Sequence, residues 1–137
     1  MSEGKALHRG SCLCGGIRYE VAGELGPVTW CHCSRCRKGN GTAFLTVSSI
    51  DAAAFRIVQG ADLVSEYETS PGVFRSFCKR CGSPLVGWRN TMPGVLRLRL
   101  GTLDTPYDGK PAQHIFTAYK ADWFDIHDDA PQFAERP

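Results

Sequence analysis

Residues 31–36 read Cys-His-Cys-Ser-Arg-Cys, so three thiols fall within six residues. Two further cysteine pairs flank this stretch, Cys12 with Cys14 and Cys78 with Cys81, and together the three clusters hold all seven cysteines of the chain. Closely spaced thiolates suit Zn²⁺, because this ion takes four soft ligands in a tetrahedron. Seven thiols are one short of two Cys₄ sites. The count therefore predicts one closed zinc site and one that keeps an open position.

Three other uses of cysteine fit the pattern less well. Disulfide frameworks belong to oxidising compartments and normally use an even number of cysteines, and the first residues lack the apolar run of a secretory signal. Iron–sulfur clusters are also held by four cysteines, but the spacings here do not match those of ferredoxins. A thioredoxin-like pair at Cys78 and Cys81 would need a βαβ context, which the surrounding pattern does not supply.

The spacing within each cluster allows its thiols to meet at one ion. Alternate residues of a strand share a face, so Cys31 and Cys33 can approach one metal while His32 points the other way. Cys78-Lys-Arg-Cys-Gly82 has the form of a zinc knuckle, in which Gly82 accepts a positive φ. The simplest partition joins the first and third clusters on one structural zinc and leaves the middle cluster a second zinc with three protein ligands. Spacing alone leaves other pairings open.

Composition predicts one folded domain covering residues 1–137. Hydrophobic residues are 42% and charged residues 22% of the chain, which is typical of a globular protein. A net charge of +2 is too small to indicate nucleic-acid binding, and no stretch approaches the ~20 apolar residues of a membrane span. Reduced thiols without an export signal predict a cytoplasmic protein. The sequence does not indicate an oligomeric state.

Short strands dominate the predicted secondary structure. Alternating apolar residues between glycine and proline turns predict strands at 17–21, 28–31, 43–48, 55–58, 63–68, 73–77, 84–89, 95–100 and 114–118. Ser70-Pro-Gly72 predicts a hairpin turn, Asp51 a cap, and residues 34–38 a helical turn. Arg97 and Arg99 alternate with leucines and are predicted on a solvent-facing side. These patterns predict an antiparallel all-β domain.

Four stretches carry a resemblance to a known family. They are 10–20 (Gly-Ser-Cys-Leu-Cys-Gly-Gly-Ile-Arg-Tyr-Glu), 31–39 (Cys-His-Cys-Ser-Arg-Cys-Arg-Lys-Gly), 70–85 around the last cysteine pair, and the tail 114–126 with its Lys-x-x-Trp segment. In these the chain resembles the glutathione-dependent formaldehyde-activating enzymes, a family that includes centromere protein V-like proteins. The resemblance implies a β-tent of antiparallel sheets with few short helical turns. It also implies the zinc ligands: Cys12, Cys14, Cys78 and Cys81 structural; Cys31, Cys33 and Cys36 catalytic.

The resemblance further implies a zinc-dependent enzyme of the carbon–sulfur lyase type that acts on thiol adducts. Its leading case is the condensation of glutathione with formaldehyde to S-hydroxymethylglutathione. The alternative is a non-catalytic zinc-stabilised binding module or chaperone on the same fold, which an exposed apolar patch around Trp30, Trp88 or Trp123 would favour. A methionine-R-sulfoxide reductase type of chemistry needs a free nucleophilic cysteine, and seven zinc ligands would leave none.

Several other polar residues have both a functional and a structural interpretation. Arg35, Arg37 and Lys38 lie beside the middle cluster and could meet the carboxylates of glutathione, or could simply be solvated. His114 is expected to be a structural histidine of its strand, with the open zinc position as the sharper hypothesis. The aspartates at 122, 125, 128 and 129 are expected to form a solvated acidic end.

Overall fold

The computed structural model describes residues 6–137, which form short strands, one α-helix and several 3-10 turns. The helix is α1 (Ser34–Asn40). In the described residues the strands are β1 (Leu7–Ser11), β2 (Arg18–Ala22), β3 (Val28–Cys31), β4 (Leu45–Asp51), β5 (Phe55–Gln59), β6 (Val64–Ser70), β7 (Val73–Cys78), β8 (Pro84–Arg89), β9 (Val95–Arg99) and β10 (Gln113–Ile115). The predicted mostly-β class is confirmed.

Every predicted strand overlaps an observed one, and β3 and β8 match to the residue. Strand β1 was missed, because its sequence Leu-His-Arg-Gly-Ser does not alternate apolar and polar residues. The predicted last strand ends early. Phe116 takes a left-handed φ of 58°, and a 3-10 turn follows at Thr117–Tyr119.

Packing divides the described chain into two compact units, of which the first comprises residues 6–26 and 49–107. Within it, β1, β2 and β5 form an antiparallel sheet, and β9, β8, β7 and β6 are hydrogen-bonded in that order, also antiparallel. Its core is a cluster of buried apolar side chains that includes two cysteines: Cys12, Ile17, Tyr19, Val21, Ile50, Cys78, Leu85, Val86 and Leu98.

The second unit comprises residues 27–48 and 108–137, and its strands are ordered β10, β3, β4. The β3–β4 pair is antiparallel, whereas β10 runs parallel to β3, with Ile115 opposite Cys31. A parallel pair needs a long crossover between its strands, and most of the chain separates β3 from β10. The hydrophobic core cluster of this unit also includes two cysteines. Its buried members are Cys31, Cys36, Leu45, Val47 and Ile115.

Local turn chemistry follows the sequence closely. Asp51 caps the turn before β5 by accepting a hydrogen bond from the Ala53 backbone N–H at 3.1 Å, as predicted. The hairpin between β6 and β7 turns at Ser70-Pro-Gly72, where Gly72 has a φ of 77°.

The solvent-facing prediction for Arg99 is wrong, because this side chain is only 5% exposed. Its Nη1 donates to the carbonyl oxygen of Arg97 at 3.1 Å. The neighbouring strand carries Gly87 opposite Arg97, and a Cβ at Gly87 would lie 2.7 Å from the Arg99 guanidinium. The missing side chain of Gly87 therefore makes the space in which Arg99 is buried.

Within residues 6–137 the structure contains no helix of the length and apolarity that a bilayer crossing requires.

Candidate metal centres

The structure brings together the first and third cysteine clusters, as the simplest partition predicts. The sulfur atoms of Cys12, Cys14, Cys78 and Cys81 all lie within 4.8 Å of one another. We call this set the Cys₄ cluster. The sulfur of Cys14 lies 3.5 Å from that of Cys12 and 3.9 Å from that of Cys78. Four thiols at these distances could bind a metal ion in a closed tetrahedral site.

Two tight turns place these four sulfurs. The Cys12 backbone N–H donates to the carbonyl oxygen of Ile17 at 3.1 Å, which closes the loop after β1. After β7, the Gly82 N–H donates to the Cys78 carbonyl at 2.7 Å, and Gly82 has the predicted positive φ of 83°. The hydroxyl of Ser83 joins the two turns, since it accepts from the Leu13 N–H at 2.8 Å. Sequence reasoning missed Ser83, because nothing in a knuckle motif specifies its partner.

Hydrogen-bond donors stabilise the thiolates of the Cys₄ cluster unevenly. Cys14 is exposed, and its pKa is lowered by the Gly16 backbone N–H and by Arg80, whose Nε lies 3.3 Å from the sulfur. The side-chain hydroxyl and backbone N–H of Ser83 lower the pKa of Cys81 to about 5. Burial raises the pKa of Cys78. The donors around Cys14 and Cys81 therefore favour the thiolate form that a metal requires.

The middle cysteines form a second group, the Cys₃ cluster, in which the sulfurs of Cys31, Cys33 and Cys36 lie within 4.8 Å of one another. Cys31 ends β3, and Cys33 is the N-cap of α1, where its sulfur accepts a hydrogen bond from the Cys36 N–H at 3.3 Å. One helical turn then returns Cys36 to within 3.1 Å of the Cys31 sulfur. The junction of strand and helix thus gathers three thiols from six residues.

Charge is concentrated on one sulfur of the Cys₃ cluster. The thiols of Cys31 and Cys36 donate to Cys33 and hold its pKa well below the ordinary value. Hydrogen bonding with Cys33 and Cys36, together with burial, raises the pKa of Cys31. Three neighbouring thiolates repel one another unless a cation neutralises them. The all-sulfur donor sets fit a soft divalent ion, so both clusters could bind a metal.

Apolar residues surround the Cys₃ cluster. Leu45, Val47 and Ile115 are buried against it, and the rings of Phe116 and Phe133 pack beside it with partial exposure. Cys31 and Cys36 are each only 2% exposed, whereas Cys33 is partly accessible. A molecule from solvent therefore reaches this cluster at Cys33.

The two histidines near this cluster bond to each other instead of to the sulfurs. His32 faces away from the thiols, as predicted, and its Nε2 lies 2.9 Å from Nδ1 of His114. Nε2 of His114 lies 2.9 and 3.0 Å from the two carboxylate oxygens of Asp128. Both ring nitrogens of His114 are thus engaged, as the structural interpretation of this residue predicts. Asp128 is therefore not simply part of a solvated acidic end, because its carboxylate is bonded to a buried histidine. The sequence holds no local pattern that links it to a histidine in a distant strand.

The basic residues of α1 differ in their surroundings. Arg35 and Lys38 are exposed, while Arg37 is half-buried with an Nε that has no hydrogen-bond partner among the described residues. All three lie within two residues of Cys36 along the helix sequence.

Comparisons with known proteins agree with the cysteine pattern. The profile of the family described as glutathione-dependent formaldehyde-activating enzyme matches residues 7–119. A Halomonas elongata protein that carries the same name is 32% identical over 128 residues, covering 88% of this chain and 81% of its own. An Aspergillus flavus protein of that name is 27% identical, and the match covers 90% of this chain but 56% of the relative. A crystal structure of a Rhodobacter sphaeroides protein superposes with a TM-score of 0.61 at 24% identity, covering 72% of this chain and 90% of the other.

Proposed function

Because the chain belongs to the glutathione-dependent formaldehyde-activating enzyme family, we propose that it is a zinc-dependent enzyme of the carbon–sulfur lyase type. The proposed reaction joins glutathione and formaldehyde into S-hydroxymethylglutathione. The observation that carries this proposal is the Cys₃ cluster. It gathers three thiols around one point, and no fourth histidine, cysteine or carboxylate donor joins the group in the described residues. Three protein ligands with an open fourth position are typical of catalytic zinc sites.

The Cys₄ cluster is proposed to hold a structural zinc and the Cys₃ cluster a catalytic one. A zinc ion at the Cys₃ cluster would lower the pKa of a thiol that occupies its open position, as it does for bound water. In the overall reaction the sulfur of glutathione forms a bond to the aldehyde carbon. The carbonyl π electrons move to oxygen, which takes up a proton in place of the one lost by the thiol.

The chain's own residues would bind and shield the substrates. Phe116 and Phe133 pack against the apolar side chains around the cluster and would help to exclude water from the reacting thiol sulfur and the aldehyde. Arg35, Arg37 and Lys38 supply cations near the cluster for the two carboxylates of glutathione. The unpartnered Nε of Arg37 makes this residue the strongest candidate for a direct contact.

The test is the rate of adduct formation measured by exchange NMR on glutathione and formaldehyde. We expect the zinc-loaded protein to accelerate the exchange and the Cys33→Ser variant to lose the acceleration while retaining its fold by circular dichroism. Ser34→Ala, which changes the next residue outside the cluster, is the control and should keep the activity. An unchanged exchange rate with fully loaded wild-type protein would contradict the proposed reaction.

The alternative of a non-catalytic binding module has one observation in its favour, the 73% exposure of Trp123. Trp30 and Trp88 are half-buried, and each stacks on a phenylalanine: Trp30 on Phe44, and Trp88 on Phe74. A single exposed tryptophan is common on protein surfaces and does not make an interaction patch. The enzymatic proposal therefore has the stronger structural support. We also place the protein in the cytoplasm, where thiols stay reduced.

A further inference from the structure

Three side chains form a buried hydrogen-bonded row behind the Cys₃ cluster. Asp128 contacts Nε2 of His114, and Nδ1 of His114 contacts Nε2 of His32, each at 2.9 Å. Both histidines are fully buried, whereas the Asp128 side chain is 34% exposed. The row therefore starts at the surface and ends at the residue that separates two of the three thiols.

The carboxylate sets the direction of every hydrogen bond in the row. Its hydrogen bond with His114 lowers the pKa of Asp128, so the group is an ionised acceptor at neutral pH. His114 must then donate from Nε2, which leaves Nδ1 as an acceptor for Nε2–H of His32. The carboxylate is itself fixed, because Oδ1 also accepts from the Ala130 backbone N–H at 3.0 Å. These bonds are all formed when both imidazoles are neutral and carry their proton on Nε2.

Backbone bonds and aromatic packing hold the same junction. The His32 N–H donates to the Ile115 carbonyl at 3.0 Å, so His32 is tied to the β10 segment by both its backbone and its ring. Trp30 packs edge-on against His114, and Phe44 and Phe124 lie beside His32 with ring centroids at 5.5 and 6.2 Å. None of these three aromatic neighbours is hydrogen-bonded to either imidazole in the described residues, and Nδ1 of His32 is buried without a partner.

Fixing His32 also fixes the thiols on either side of it. His32 follows the last residue of β3 and precedes the N-cap of α1, so Cys31 and Cys33 project to the face opposite its ring. A rotation of the backbone at His32 would swing both sulfurs away from Cys36. We propose that Asp128, acting through His114 and His32, is a positioning residue for the Cys₃ cluster. This inference rests on the proposed function in that it takes the cluster to bind a metal.

The test is a titration with Co²⁺, whose ligand-field absorption reports the geometry of thiolate coordination. For Asp128→Ala we expect roughly tenfold weaker binding at the Cys₃ cluster and altered absorption bands, the size of effect that outer hydrogen-bond partners have at metal sites. Binding at the Cys₄ cluster should stay unchanged. Asp129→Ala is the matched control, because Asp129 is the adjacent exposed carboxylate and makes no such bond. His114→Phe removes the middle of the row and should reproduce the loss.

Two outcomes separate this inference from the function on which it rests. If the wild-type protein binds two Co²⁺ ions and Asp128→Ala binds both with unchanged affinity and spectrum, the positioning role is wrong and the proposed metal centre stands. If the wild-type protein binds only one Co²⁺ ion, the proposed catalytic centre fails, and the positioning role fails with it.

Discussion

At the scale of single residues, Gly10 has no room for a side chain. A Cβ at this position would lie 2.2 Å from the ring of Tyr19, which faces it across the β1–β2 pair, and 2.6 Å from the Thr102 carbonyl oxygen. Tyr19 is 1% exposed and bonded through its hydroxyl to Thr102 at 2.6 Å, so the ring cannot move without breaking that bond.

We therefore predict that Gly10→Ala lowers the free energy of unfolding by about 1–3 kcal/mol, the usual cost of overpacking a core. Urea denaturation measures the change. Gly101→Ala is the control, because a Cβ there meets no atom within 4 Å and should change stability little. Equal stability of wild type and Gly10→Ala would contradict the close packing of Tyr19 on Gly10.

Arg80 protects the most exposed sulfur of the Cys₄ cluster. Its Nε donates to Cys14 at 3.3 Å, and such a bond stabilises the thiolate against protonation and loss of the metal. Arg80→Met keeps the apolar stem of the side chain and removes the donor. We expect zinc release to a colorimetric chelator to become roughly tenfold faster. Lys79→Met, which removes the neighbouring exposed charge, should release zinc at the wild-type rate, and identical rates for both variants would refute the role of Arg80.

At the scale of elements, helix α1 carries two glycines with opposite requirements. Gly39 lies inside the helix and is exposed, so alanine there reduces the backbone entropy lost on folding. Gly41 ends the helix with a left-handed φ of 70°, which favours glycine. Gly39→Ala should raise the free energy of unfolding by about 0.5–1 kcal/mol. Gly41→Ala should lower the free energy of unfolding by about 1 kcal/mol. Thermal denaturation of both variants and of wild type measures the two changes. The same sign for both changes would contradict the helix boundary.

The β1–β2–β5 sheet carries an exposed ion-pair network. Glu20 on β2 accepts from Arg56 at 2.8 Å and from Arg9 at 3.3 Å, and these bonds lower the pKa of its carboxyl from the ordinary 4.5. A lowered folded-state pKa contributes stability above the unfolded value, and that contribution is lost as the pH falls through the folded value.

Glu20→Gln should therefore melt at a slightly lower temperature than wild type at pH 7, and the difference should shrink as the pH falls below about 4.5. Calorimetry across pH measures it, and added salt should reduce it because the pairs are exposed. Glu24→Gln, in the loop after β2, is the control. If the difference in melting temperature between wild type and Glu20→Gln grew as the pH fell, the ion pairs of Glu20 would not be stabilising the fold.

The sequence predicted those features of the elements that depend on residues close together in the chain. The cysteine turns, the Asp51 cap and the alternating strands depend on neighbouring residues, and all were predictable. The parallel pairing of β10 with β3, the burial of Arg99 above Gly87 and the bond from Asp128 to His114 depend on residues far apart in the chain. A single sequence carries no local signal for them.

At the scale of the whole molecule, each packing unit has two cysteines of one cluster in its core. The Cys₄ cluster joins residues 64 positions apart, so a metal bound there would link the end of β1 to the end of β7. Metal-binding free energy at such a site is folding free energy, and its loss should unfold the surrounding strands. The Cys₃ cluster comes from one short stretch, so losing its metal should leave the fold intact. We therefore expect metal loss to unfold the protein at the Cys₄ cluster and to leave it folded at the Cys₃ cluster.

The number of zinc ions per chain, measured in protein purified without chelator, tests this difference, with wild type compared with Cys36→Ser and with Ser34→Ala as the control. We expect two zinc ions in wild type and in Ser34→Ala, and one in Cys36→Ser with an unchanged circular dichroism spectrum. One zinc ion in all three proteins would contradict it.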